Sequence, residues 1–177
     1  MHFLYSLLAG AATVLGFAPF GLHPLAFLTF AVLVHFWLDA PPRRAAWLGL
    51  AFGAGLFGAG ASWVYVSLHQ FGGMAAPLAA FATVAFCAVL ALFPAAAGWL
   101  QARVPAPEAA RASLLIPAAW VLCEWLLVWI FTGFPWLALG YSAAGWPLQG
   151  YAPLGGVDAL SFLTVSVAGM LWLVARQ

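Results

Sequence analysis

Residues 3–38 read FLYSLLAGAATVLGFAPFGLHPLAFLTFAVLVHFWL, a run without an Asp, Glu, Lys or Arg. A bilayer core about 30 Å thick is crossed by roughly 20 apolar residues rising about 1.5 Å each, so this run is too long for one span and must fold back. The break lies in FAPFGLHP, residues 17–24. There Pro19 and Pro24 remove backbone donors and Gly21 admits turn geometry. The stretch therefore predicts two short helices, about 3–18 and 24–38, joined by a tight turn. The start, MHFLYSLLAGAATVLGF, has no basic segment ahead of its apolar run, which extends well past the length of a signal peptide. It is read as a retained first span.

Composition points the same way. Hydrophobic residues make up 67% of the 177 positions and charged residues 5%, whereas soluble domains are about 45–50% apolar and about 25% charged. So little polar surface cannot cover a globule of this size, and lipid must solvate much of it. The formal net charge of +1 gives no reason to expect a nucleic-acid partner. Cys87 and Cys123 both lie inside apolar runs and are read as buried free thiols. Four scattered histidines and these two cysteines show no metal-ligand spacing, so neither a metal nor a cofactor is expected.

Further apolar runs extend over about 45–68, 75–101, 112–131 and 157–175. The predicted fold class is thus all-α, a polytopic transmembrane bundle of about six spans forming a single domain over 1–177, with a broken outer loop at 132–156. The alternating pattern of outer-membrane strands does not recur. Every basic residue is arginine, at positions 43, 44, 103, 111 and 176. Basic residues in short loops stay cytoplasmic. With six spans all five arginines share one face, which places both termini in the cytoplasm and residues 19–24, 69–74 and 132–156 outside. Within WLGLAFGAGLFGAGASWVYVSL (47–68), Gly49 and Gly53 form a G-x-x-x-G pair suited to close helix packing in lipid.

Glu124 is the one acid well inside a predicted span. An acid kept there faces a partner or a wet cavity. It reads either as a polar anchor beneath an outward-facing site or as a carboxyl hydrogen-bonded within the bundle. His69 and Gln70 fall on the outer rim, and with Trp136, Tyr141 and Ser142 they suit a lipid headgroup, using aromatic faces for chains and side-chain donors for oxygens. The alternative is an aromatic belt at the membrane surface, which needs no ligand. Ser142, His69 and Asp158 can be drawn as a nucleophile, base and acid, but no elbow motif supports them.

The strings SWVYVSLHQFGGM (62–74), FTGFPWLALGYS (131–142), PLQGYAPLGGV (147–157) and GFAPFGLHPLA (16–26) resemble the apolipoprotein N-acyltransferases of bacteria, in order and over essentially the whole chain. The resemblance implies a multi-pass protein of the bacterial inner membrane. Its substrates would be a phospholipid acyl donor and a diacylglyceryl lipoprotein acceptor, whose N-terminus is acylated during lipoprotein maturation. In that family the chemistry runs through a cysteine thioester, with a glutamate base and a lysine at the oxyanion, all in a nitrilase-like domain that follows the membrane spans. The sequence holds no lysine and stops after the sixth predicted span, so no catalytic residue is carried over. A truncated or split protein, inactive alone and completed by a separate nitrilase-like domain, is the expectation.

Substrate-binding expectations fall on Glu124, His69, Gln70, Phe134, Trp136, Tyr141 and Ser142. One departure concerns the string after the acid. The family commonly shows EWLRGW, whereas this chain reads EWLLVW with Leu127 in place of the arginine, and an i,i+3 pair would have shared a helix face. A non-catalytic membrane scaffold or lipid-binding module derived from the family is the alternative, followed by a small transporter.

Overall fold

In the computed structural model, residues 1–130 and 133–176 are described, and all regular structure among them is helical. Helix α1 spans His2–Thr13 and closes in a 3-10 turn at Val14–Gly16. After the turn at 17–22, α2 spans His23–Leu38, so the chain breaks where Pro19 and Gly21 predict. Helix α3 covers Pro42–Gly60 and α4 covers Trp63–Phe71, the latter ending in a wide π turn at Ser67–Phe71. Helix α5 runs over Ala76–Arg103, α6 over Glu108–Trp129 and α7 over Ala152–Ala175. Pro24, Pro42 and Pro77 each sit in a first turn, where a missing N–H costs nothing.

Three differences from the expected spans have local causes. The run at 45–68 is broken, since α3 and α4 meet at a bend of 47°. At that bend the Leu137 side chain packs over Gly60, where a Cβ would clash with it. Helix α6 starts at Glu108, earlier than the expected 112. Glu108 lies in its first turn, favourable at the positive end of a helix dipole. Helix α7 contains a kink at Gly155 and Gly156, the latter at φ +63°, so its regular part begins close to the expected 157. Phe131, Thr132 and Gln177, which the predicted fifth span, outer loop and C-terminal end include, lie outside the described residues.

Helices α5, α6 and α7 are long and apolar enough to cross a membrane, and the bent pair α3–α4 makes a fourth candidate; α1 and α2 are shorter apolar helices. The exterior is far more apolar than that of a water-soluble bundle, and the largely apolar interior also holds polar side chains. Ser6, Thr13, Thr29, Gln101, Glu124, Ser161 and Thr164 are buried, while Leu4, Leu8, Phe81, Val84, Leu92 and Trp129 are exposed. Such an apolar exterior suits hydrocarbon. The buried hydroxyls join helices: Ser6 donates to the Leu48 carbonyl at 2.7 Å and Thr13 to Thr29 at 2.8 Å.

Helix α3 is central, and its glycines divide between its neighbours. Gly49 and Gly53 face Pro94, Ala95 and Ala91 of α5, whereas Gly55 faces Leu7 and Ala11 of α1. Around this seam Phe30, Phe52, Trp37 and Trp120 form a buried ring cluster, with Phe30 edge-on to Trp120 at 4.6 Å between centroids. Edge-to-face contacts of this kind add about 0.5–1.5 kcal/mol beyond area burial.

The arginine end is tied separately. Arg111 donates to the Leu38 carbonyl at 3.2 Å, to Trp37 at 3.4 Å and to Gln101 Oε1 at 2.8 Å, so one side chain covers the last carbonyls of α2 and reaches α5. Arg44 reaches His2, and Arg176 pairs with Glu108 at 2.7 Å.

Two predictions follow from these contacts, both read by thermal unfolding in detergent micelles. Gly55→Ala, which forces a methyl into the Leu7 carbonyl, is expected to destabilise by about 1–3 kcal/mol, while Gly58→Ala, with open space at that position, is neutral or stabilises by about 0.5–1 kcal/mol. Arg111→Met is expected to cost about 2 kcal/mol or more by orphaning buried acceptors, and Arg176→Gln, whose ion pair is about half exposed at 51% and 47%, under about 1 kcal/mol.

Candidate functional site

The end of the bundle opposite the arginines carries the turn at 17–22, helix α4 and the segment 133–151. This segment is not one helix. It contains 3-10 turns at Leu139–Ala143 and Pro147–Tyr151, and Leu137 between them and α6 is a non-glycine residue at φ +64°. A left-handed leucine is unfavourable and persists only where its surroundings fix it.

Those surroundings start from the aromatic core. Trp120 on α6 donates its indole N–H to Glu124 Oε1, one turn along, at 2.7 Å. The same oxygen accepts the backbone N–H of Leu139 at 2.7 Å. The next amide, Gly140, donates to Ser161 Oγ of α7 at 2.8 Å. Ser142 then donates its hydroxyl to the Leu139 carbonyl at 2.7 Å, and its own carbonyl accepts from His23 Nδ1 of α2. Three helices thus hold Leu139, Gly140 and Ser142 through polar side chains, and two consecutive amides go to different helices. Glu124 Oε2 makes no hydrogen bond among the described residues.

Phe134 is partly buried, its ring edge-on to Phe86 at 5.1 Å and to Phe57 at 6.4 Å, and its amide donates to the Leu127 carbonyl at 3.0 Å. Trp136 is exposed, 5.9 Å from the Trp63 ring of α4. Tyr141 is also exposed, whereas Ser142 is buried. His69 Nδ1 contacts the Met74 carbonyl at 2.8 Å and its ring lies 5.5 Å from Tyr65; Gln70 is exposed. With the Ser142 hydroxyl and His69 Nδ1 both bonded to backbone carbonyls, no nucleophile–base hydrogen bond links them.

Two cavities meet at the strained turn. An open cleft of about 460 Å³ is lined by Phe17, Ala18, Pro135, Trp136, Leu137, Tyr141 and Ala144. Beneath it, a narrow cavity of about 20 Å³, room for about one water molecule, reaches Trp120, Cys123 and Glu124, and Pro135, Trp136 and Leu137 line this cavity too. These three residues form a partition, with an apolar aromatic cleft outside and the acid inside. The cleft offers apolar walls and ring faces, which suit an alkyl chain.

Sequence reasoning singled out Glu124, Trp136 and Tyr141, which the fold brings to one region, and His69 and Gln70, which sit on the adjoining α4. It missed Trp120, Ser161 and His23. Ser161 had a legible signal, a small polar residue inside an apolar helix. His23 lay in the turn motif and was read only for its neighbours. Among the described residues no three His, Cys, Asp or Glu side chains gather at one point.

The profile of the "Apolipoprotein N-acyltransferase N-terminal domain" matches residues 9–170. The chain is similar to an apolipoprotein N-acyltransferase of Coxiella burnetii, 46% identical over 100% of this chain and 37% of the relative. A relative of the same name from Nitrosomonas europaea is 48% identical over 95% of this chain and 35% of its own length, and one from Methylococcus capsulatus is 44% identical over 98% and 35%. The chain therefore spans little more than a third of these curated relatives. A domain-length match together with close identity along the whole chain means that this protein belongs to the apolipoprotein N-acyltransferase N-terminal domain family.

Proposed function

We propose that this chain is the multi-pass inner-membrane domain of an apolipoprotein N-acyltransferase, and that it houses a phospholipid acyl donor and a diacylglyceryl lipoprotein acceptor at its arginine-free end. The observation that carries this reading is the cleft between Phe17–Ala18 and the Trp136–Tyr141 segment, apolar and aromatic and open at that end. In this reading Phe134, Trp136 and Tyr141 flank acyl chains, His69 and Gln70 meet polar heads at the rim, and Ser142 and Glu124 support the wall from within. Transfer itself requires groups beyond these residues. The family's lysine role has no candidate among the 177 positions, and a nitrilase-like catalytic domain is its proposed partner.

Six spans with both termini cytoplasmic complete the reading, with residues 1–177 as a single domain. Support comes from the ends of the bundle: Arg44, Arg111 and Arg176 all make their contacts at the end where α1 and α3 begin and α2 and α7 finish. Short α1 and α2 then cross as a pair joined through the buried Thr13–Thr29 bond.

Two experiments test this. With single cysteines and a membrane-impermeant maleimide, Gln70→Cys and Gly150→Cys are expected to label in intact cells, and Pro41→Cys and Pro107→Cys only after permeabilisation. The opposite pattern, or a split between the two outer sites, overturns the topology. In a full-length relative, replacing the residues matching Trp136 and Tyr141 by leucine is expected to lower acyl transfer to a detergent-solubilised lipopeptide roughly tenfold, since two aromatic contacts of about 0.5–1.5 kcal/mol are removed. Unchanged kinetics would refute the cleft as the lipid site.

A further inference from the structure

Pro135, Trp136 and Leu137 line both cavities at the outer end, and the last of them is held in a conformation that leucine does not choose. A positive φ at a non-glycine residue costs of order 1–3 kcal/mol and relaxes unless neighbouring contacts prevent it. Three contacts do so here. The Leu137 side chain is seated on Gly60 of α3. The amide two residues on, Leu139, is bonded to Glu124 at 2.7 Å. The following amide, Gly140, is bonded to Ser161 at 2.8 Å. Of these, only Glu124 is also bonded to the aromatic core, through Trp120.

We propose that Glu124 is a positioning residue: by binding the Leu139 amide it holds the strained Leu137 turn as a wall between the outer cleft and the inner cavity, and so sets the place of the Trp136 indole against an incoming acyl chain. The proposal rests on the reading above only in naming an acyl chain as what the wall meets. Ser161 is the second holding point, on the opposite helix. The carboxyl acts through its acceptor oxygen. A glutamine in its place keeps an acceptor for both N–H groups, and a leucine of similar size keeps none.

The cysteines already present report on this wall. Cys123 lines the inner cavity behind it, whereas Cys87 lines a separate groove between α3 and α5 with Gly58, Tyr65 and Val84. Both thiols are free and buried. The rate of modification by methyl methanethiosulfonate is measured at each thiol in the intact chain, in detergent without added phospholipid, so the outcome does not depend on whether the cleft takes lipid. Glu124→Leu is expected to raise the Cys123 rate roughly ten- to hundredfold through loss of both hydrogen bonds to the carboxyl oxygen, leaving Cys87 unchanged. Glu124→Gln is expected to stay near the native rate. An unchanged Cys123 rate in Glu124→Leu, equal acceleration of both thiols, or a glutamine variant that behaves like the leucine one would overturn the proposal. If Glu124→Leu yields no folded protein, Ser161→Ala decides. Selective acceleration of Cys123 supports the wall, and no change overturns it.

Discussion

Glu124 receives two N–H groups on one oxygen, the indole of Trp120 from its own helix and the amide of Leu139 from the segment beyond. In hydrocarbon an unpartnered backbone amide costs several kcal/mol, which is why irregular chain at membrane depth is found only where protein or water satisfies it. The segment between α6 and α7 is irregular; among its described amides Phe134, Leu139 and Gly140 are satisfied from fixed points on the flanking helices and others by turns within the segment. Without those points the aromatic outer surface would have no defined position. An acid within an apolar helix is thereby explained first as an acceptor for backbone, with its second oxygen turned elsewhere.

The same rule orders the remainder of the molecule. Several buried or partly buried polar side chains each join two elements: Ser6 to α3, Thr13 to α2, Arg111 to α2 and α5, Ser166 to the Ser113 carbonyl of α6. Hydrophobicity cannot hold helices together when the solvent is itself apolar, so close backbone approach at glycine and buried hydrogen bonds take over. Helix α3 uses both, offering glycine surfaces to α1 and α5 in different directions. The aromatic cluster around Trp120 then links this glycine-packed seam to the acid that supports the outer segment.

Much of the helical plan was legible in the sequence because its signals are local. Pro19, Gly21 and Pro24 mark the first reversal, Pro77 the start of α5, and Gly155–Gly156 the break before the last regular helix. The bend at Gly60–Trp63 was not legible. Ala61 and Ser62 carry no strong breaking signal, and what occupies that point is Leu137, far along the chain. Helix α6 begins earlier than its apolar run because Arg111 turns inward to carbonyls instead of staying in a loop. At the site, Glu124 stood out as a charge in an apolar run, but its partner Leu139 is a backbone group supplied by a returning segment. No residue type announces that, and Ser161 looks ordinary until the Gly140 amide is placed beside it.

The lengths of the helices on either side of α3 differ greatly. Helix α1 has 12 residues and α5 has 28, which correspond to about 18 Å and 42 Å at about 1.5 Å per residue. In the proposed six-span arrangement, a bilayer surrounding the bundle meets a low rim on one flank and a tall one on the other. Lipid must be pinched thin beside α1, or the body must lean, and either adjustment disturbs the orderly stacking of tails locally. Loosened tails next to the shorter flank would bend toward the protein more cheaply than those elsewhere in the sheet. In that proposed arrangement the uneven height of the bundle makes membrane thickness itself a variable for the protein.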